Sequence, residues 1–257
     1  MAQVMDLVTA ETTATSKEPL RFDEIVERIR ELVADLSAGG RPIRVLEAGC
    51  GSGRKSWVFR FPPNAYVVGI DNSQEVLEKN EAVSEKILAD IQSDPLRPRD
   101  YDLIICFDVL EHLAQPEKAL ANFAGAIQEN GMIVLASPLV NSMKGIITKF
   151  TPHWFHVFAY RYLLGDKNAG RPGFGPFPTV LRWSISPASL LRFAQDRGLA
   201  TEYFQLYRGR MWDRALKRNR ALGIGCYLVG RLIELLSFGR ITAATTDFVM
   251  VLRKPSP

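Results

Sequence analysis

Between Phe22 and Leu36 the chain sets Phe22, Ile25, Ile29, Leu32, Val33 and Leu36 at helical spacing with charges between them, which predicts an amphipathic helix. The run GGRP then stops it. Beyond that point the stripe gives way to short apolar runs. IRVLEAG, AYVVGID, EKILAD, YDLIICFD and GMIVLASP read as five buried strands, with helical character in SQEVLEKNEAV and LAQPEKALANFAGAIQEN between them. Strands alternating with crossover helices predict a parallel sheet covered on both faces. The pattern breaks after Pro138. Residues 139–185 are rich in aromatics, Gly and Pro, end in GRPGFGPFPTVLRWS, and do not read as regular α/β structure. A stretch this long inside a domain is either functional or hides an unassigned element. SPASLLRFAQDRGL restores a helix, with Ser186 as its N-cap, Pro187 at its first position and Gly198 ending it. TEYFQLYR and TDFVMVLRK read as a sixth and a seventh strand.

The expected fold is therefore α/β, a seven-stranded, mostly parallel sheet with helices on both faces. One insertion, 139–185, follows strand 5 as a substrate or lid segment, and a second, 208–245, lies between strands 6 and 7. Residues 20–257 form one domain in this reading, preceded by a polar leader over 1–19 that is flexible or orders over a ligand. The leader has no basic start followed by an apolar run, so no secretory signal is read there. A hydrophobic content of 47% allows a sizeable core. Cys50, Cys106 and Cys226 are odd in number and share no metal-ligand spacing, which fits a reducing, cytoplasmic setting better than a disulfide framework.

Net charge is +4, unevenly spread: acidic residues are frequent before about residue 130, and Arg and Lys dominate RGRMWDRALKRNR. The segment ALGIGCYLVGRLIELLSFGR that follows is strongly apolar at Leu222, Ile224, Tyr227, Leu228, Leu232, Leu235, Leu236 and Phe238. It is short for a bilayer span and contains Arg231 and Glu234, so a transmembrane helix is not expected. Two readings stay open. It packs on the sheet or on a second subunit of a homodimer, or 208–240 makes a peripheral contact with a membrane surface.

The loop VLEAGCGSGRKS decides between three ligands. A phosphate loop needs a glycine next to its lysine, and Arg54 stands there instead. A dinucleotide loop is closer, since Gly51-x-Gly53-x-x-Ser56 follows a strand and Asp71 ends the next one. Glu47 pulls away from it: a carboxylate on the strand side of the turn repels a pyrophosphate and suits a ligand carrying positive charge. An NAD(P)-dependent oxidoreductase stays as the alternative.

With VLEAGCGSG, VVGIDNS, LADI, YDLIICFDVLEHL and NGMIVLASP in order and in matching strand contexts, the sequence resembles the class I S-adenosylmethionine (SAM)-dependent methyltransferases, in the branch that includes the quinone-biosynthesis enzymes. The resemblance covers about residues 42–138 well, and 186–206 and 246–254 less closely. It implies a Rossmann-like fold and SAM as cofactor, held by Glu47, Gly49, Cys50, Gly51, Gly53, Asp71, Asn72, Asp90, Ile91, Phe107 and His112. The glycines would let the backbone approach SAM. Glu47 would face its amino end, Asp71 the ribose hydroxyls and Asp90 the adenine amine, while Asn72 and Ile91 flank the adenine and Cys106 and Phe107 line the methionine side. Plainer roles stay open beside these: a turn for Asp71, a cap for Asp90, core for Cys106 and Phe107.

Methyl transfer from a sulfonium is an in-line displacement, so the protein must align the reactants and remove a proton where the acceptor carries one. The chain has three histidines. His112 sits just past the fourth strand at the mouth of the expected cleft, as a site residue or general base, or else as a helix cap; Glu111 beside it is similarly placed, or is only a helix-start carboxylate. His153 and His156, three apart in TPHWFHVFAYRY, share a helical face with no third ligand, so no metal is expected. With Tyr160 they are candidates for contact with the acceptor, while Trp154, Phe155 and Phe158 read as packing or as a stacking platform. The expected acceptor is an O or N of a small or lipophilic molecule, and a SAM-binding partner module without catalysis is the remaining alternative. No nucleic-acid partner is expected, because the basic run has no interleaved aromatic beyond Trp212.

Overall fold

The structure is a computed structural model that describes residues 22–53, 61–163, 165–171, 174–209 and 220–256. The leader over 1–19, Lys55 and Ser56 of the glycine loop, and the basic residues 210–219 lie outside the described residues. Seven strands form one sheet: β1 (Arg44–Ala48), β2 (Tyr66–Asp71), β3 (Glu85–Leu88), β4 (Tyr101–Phe107), β5 (Ile127–Pro138), β6 (Ala200–Tyr207) and β7 (Asp247–Arg253). Their order is β3-β2-β1-β4-β5-β7-β6, with β7 antiparallel to both neighbours and the other pairings parallel. The continuous apolar runs follow from burial on both faces: six of the seven residues of β4 are buried.

Helix α1 (Phe22–Leu36) lays Ile25, Ile29, Leu32, Val33 and Leu36 on one face of the sheet, against Val45, Leu103 and Val134. The opposite face is covered by helices that include α3 (Pro116–Ala126) and α6 (Pro187–Asp196), which bring Leu120, Phe123, Leu190 and Leu191 onto Leu46, Ile104 and Leu135. Each such side chain, fully buried, contributes roughly 1.5–3 kcal/mol. The caps of α6 are as expected. The Ser186 hydroxyl accepts from the Ser189 N–H, Pro187 opens the helix, and Gly198 takes a φ of 66° just past its end.

Three expectations need correction. The helix expected over 73–83 shrinks to α2 (Gln74–Glu78). Asn80 ends it, because its carboxamide bonds the Ala82 N–H and reaches back to the glycine loop, a local pairing that competes with helical bonds. Residues 127–130, expected as helix, belong to β5, where Ile127 is fully buried and pairs with Tyr101. Residues 139–185 contain regular structure after all: α4 (Met143–Phe150), capped by the Ser142 hydroxyl on Gly145 N–H at 2.9 Å, and α5 (His153–Phe158), which runs into a π-helical turn over Ala159–Leu163. Pro152 sits at the break between them and blurred the helical period.

Because β7 is antiparallel, its first residue Asp247 pairs with Pro138, the last residue of β5. Both insertions therefore meet at the carboxyl end of the sheet. Their roots are stitched together by Met143 N–H to Thr242 O at 2.9 Å, Thr242 N–H to Asn141 O at 3.1 Å, and the Ser142–Thr242 bridge. The second insertion carries helix α7 (Arg220–Leu236).

Candidate active site

Strand order reverses between β1 and β4, and in open α/β sheets the crevice beyond the carboxyl ends of the strands at such a switch point is where ligands bind. The turn after β1 enters that crevice. Gly49 and Gly53 have φ of 68° and 75°, where an L side chain is strained, and there is no room for one. A Cβ on Gly49 would run into Val109, and one on Gly53 would sit 2.6 Å from the Asn80 Oδ1. The turn is thus bare backbone by necessity. The Asp71 carboxylate at the end of β2 holds it from below, accepting the Gly51 N–H at 2.9 Å on one oxygen and the Ser73 N–H at 2.9 Å on the other. The turn role for Asp71 is real, and it uses two of about four lone-pair positions, so it leaves acceptor capacity on the crevice side.

Glu47 is buried on β1 below the turn. Burial, reinforced by Glu47 and Asp71, pushes the Cys50 thiol up to about 12, and burial pushes Cys106 up as well. Neither is a thiolate nucleophile at neutral pH. Cys106 is core, fully enclosed in the cluster on the α3 side. Phe107 turns toward the other face, its ring edge-on to Phe22 at 6.3 Å. Asn72 is exposed at the crevice rim. Asp90 acts as a turn cap, accepting the Gln92 N–H at 2.9 Å, and Ile91 is buried with its carbonyl bound to the Asn122 amide at 2.8 Å.

The fourth strand ends in a tight turn. Asp108 has a φ of 53°, a rare backbone state for a residue other than glycine and one that clusters at functional sites. It delivers the short 3-10 helix Leu110–His112. Glu111 stands in the first turn of that helix, as a helix-start carboxylate would, but it is buried and accepts the Ser137 hydroxyl at 3.2 Å. Its backbone carbonyl accepts both Val180 N–H and Leu181 N–H at 2.9 Å, which folds the tail of the first insertion onto the site. His112 sits against the same tail, with Nδ1 at 2.7 Å from the Pro178 carbonyl and its ring edge-on to Phe177. A carbonyl can only accept, so Nδ1 carries a proton, and in the neutral ring Nε2 carries the lone pair. The Glu111 carboxylate lies 3.9 Å from Nε2.

The other sequence-picked histidines are elsewhere. His153 and His156 stand on α5 with rings 6.3 Å apart. The Thr151 hydroxyl donates to the Ile147 carbonyl, so it must accept from His156 Nε2 at 2.7 Å, which ties that ring to the helix start. Burial, with His153 adding, lowers the His156 pKa. Among the described residues no His, Cys, Asp and Glu group is arranged to hold a metal. Tyr160 is nearer the chemistry. Burial raises its hydroxyl pKa, Lys144 opposes, and Asp247, Asp108 and Glu111 add.

Sequence reasoning missed the groups around it. Lys144 on α4 pairs with buried Asp247 at 2.6 Å; burial alone would lower the ammonium pKa, but the carboxylate more than offsets this and raises it. Asn80 is fully buried, and its amide donates to the Gly51 carbonyl at 3.1 Å, clamping the glycine turn. Nothing in a single sequence marks Asn80 or Lys144, since each is defined by a partner far along the chain. Asp108 is the exception, because Asp tolerates the left-handed state that this turn requires.

A family model described as a methyltransferase domain matches residues 21–219. A ubiquinone biosynthesis O-methyltransferase from Neisseria meningitidis is 27% identical over 191 residues, 70% of this chain and 70% of its own length. A SAM-dependent methyltransferase from Archaeoglobus fulgidus superposes with a TM-score of 0.52 at 16% identity, over 90% of this chain and 94% of that one. The [4+2]-cyclase SpnF superposes with a TM-score of 0.56 at 12% identity, over 100% and 93%. These two likenesses are of fold, and the cyclase shows that one fold hosts different chemistries.

Proposed function

The chain belongs to the methyltransferase-domain family, and from that premise we propose that it is a class I enzyme moving the methyl group of SAM onto an oxygen, or a nitrogen, of a small lipophilic acceptor. The single observation carrying the reading is the meeting of the bare glycine turn, the Asp71 carboxylate and the β4 turn at the switch point of the sheet. The residues fit SAM on two counts: a turn at the crevice whose backbone, with φ of 68°, 54° and 75° at Gly49, Gly51 and Gly53, favours glycine and leaves no side chain there, and acidic groups where a sulfonium-bearing amino acid presents positive charge. Glu47, the backbone from Gly49 through Cys50 and Gly51 to Gly53, Asp71, Asn72, Asp90, Ile91 and Phe107 would hold it. When bound, SAM supplies a methyl group activated by the sulfonium.

The rest of the chemistry falls to this chain. His112, with Nδ1–H committed to the Pro178 carbonyl, presents Nε2 to take the acceptor's proton, and Glu111 stabilises the resulting imidazolium. The tail of the first insertion, fixed on Glu111 and His112, closes the crevice against water. An oxygen acceptor is favoured by the relative named as an O-methyltransferase.

Two measurements test the reading. Titration calorimetry should show SAM binding and no NAD binding, and NAD binding alone would refute the proposal. Tritiated methyl transfer into fractionated cell extract should label the lipid phase. SAM binding without transfer to any fraction would leave the non-catalytic module in its place.

A further inference from the structure

Helix α7 is amphipathic the wrong way round for a water-facing helix. It meets the protein through Gly230, which is buried and where a Cβ would stand 2.6 Å from Ala243 and 3.8 Å from the Met143 sulfur. At about 100° per residue, Ile224, Leu228, Val229, Leu232, Leu235 and Leu236 fall on the arc opposite Gly230. All of them are more than half exposed, Leu235 at 73%, and Phe238 just beyond the helix reaches 91%. Solvated helices turn the opposite face outward, and a contiguous exposed apolar patch marks a binding surface. The first insertion, rooted beside it, adds exposed Phe150 and, one turn apart along α5 and its π-helical extension, Trp154, Phe158 and Tyr162.

The charge is sorted to match. Among the described residues, 139–185 and 208–245 carry ten Lys and Arg against two Asp and Glu, whereas the rest carry thirteen against twenty-two. The described parts of the insertions are therefore net +8 on a body of −9. We infer that this face docks on an anionic lipid bilayer. An acidic surface with an apolar interior answers both features, as interfacial aromatics and Lys or Arg do on membrane-surface helices. A second copy would bring two strongly positive faces together, and a nucleic acid would leave the apolar arc unused. At 17 residues, α7 spans about 25 Å, short of a hydrocarbon core of roughly 30 Å, and no helix among the described residues is long and apolar enough to cross. It lies on the bilayer. The inference rests on the proposed lipophilic acceptor for its purpose, since the segment bearing the aromatics also carries the Pro178 carbonyl that holds His112.

The test is flotation of the full chain with vesicles of phosphatidylglycerol or of phosphatidylcholine, at low and high salt, with SAM affinity measured in parallel by titration. Anionic vesicles should bind at least about ten-fold more tightly than neutral ones, with the difference lost in high salt. Leu232→Glu with Leu235→Glu should weaken partition about a hundred-fold while leaving circular dichroism and SAM binding unchanged, since both side chains are exposed. Absence of binding to phosphatidylglycerol, or equal binding to both lipids at any salt, overturns the inference. So does a concentration-dependent dimer in sedimentation that the double variant dissolves while vesicles go unbound, which would assign the face to a second copy. SAM binding without vesicle binding sinks this inference alone; vesicle binding without SAM binding sinks the methyl-transfer reading alone.

Discussion

Replacing Asn80 by alanine removes the clamp on the glycine turn, and the cost can be worked from its bonds. The side chain is fully buried; its amide donates to the Gly51 carbonyl at 3.1 Å and its oxygen accepts the Ala82 N–H at 2.9 Å. Alanine strands both backbone groups, at about 1–3 kcal/mol each, so about 2–6 kcal/mol of stability is lost. For a chain of this size that lowers the melting temperature by about 4–24 °C. A turn holding its cradle geometry only about a tenth of the time would bind SAM about ten-fold more weakly. The decisive version is a double-mutant cycle with Gly53→Ala. Alone, that change incurs about 1–2 kcal/mol for an alanine at a φ of 75°, plus the contact at 2.6 Å with the Asn80 oxygen. With Asn80 already alanine, that contact is gone and the backbone cost dominates. The two substitutions should therefore fall short of additivity by about 1 kcal/mol in thermal unfolding. Unchanged melting and SAM affinity in Asn80→Ala, or additivity within about 0.5 kcal/mol, would refute the clamp.

Other expectations follow from the same geometry. His112→Gln should lower kcat about 10²–10³-fold and leave SAM affinity in place, because a proton acceptor is lost and the cradle is not; an unchanged kcat removes His112 as base. His156 has a folded pKa below its ordinary value of 6.5, so the unfolded chain protonates first as pH falls. Its stabilisation is complete above about 6.5 and lost as pH drops through the folded pKa, and thermal melts of His156→Gln should show a shallower acid decline than the parent. Lys144→Met leaves the buried Asp247 carboxylate without its cation and should cost about 3–5 kcal/mol in denaturant unfolding, whereas a loss under about 1 kcal/mol would mean the pair is solvated.

The sheet was legible because its signal is local: six of seven β4 positions are buried, and nothing but an apolar run survives there. The glycine turn was legible for the same reason, each glycine being demanded by its own φ or by a neighbour. What stayed hidden depends on distant partners. Asn80 fell inside the stretch read as helix because its bonds go to the turn after β1, about thirty positions back, as Gly51 shows. Lys144 and Asp247 are separated by more than a hundred residues and meet only because β7 runs backward. The helices of the first insertion were lost to Pro152 and to aromatics whose exposed faces break the usual stripe. His112 was placed by its motif, but its tautomer is set by Pro178, sixty-six residues away.

The reversed β7 has a consequence for how such a protein can change over time. It splits the carboxyl edge of the sheet into two zones: the turns after β1, β2 and β4 on one side, and the connections leaving β5 and entering β7 on the other. Extra residues in those last two connections add little closure entropy, about 0.6 kcal/mol per doubling of length, and disturb no strand register. Lineages can thus lengthen, shorten or exchange these two segments while the glycine turn and Asp71 stay fixed, so the part that chooses a partner is free to drift and the part that holds the donor is not.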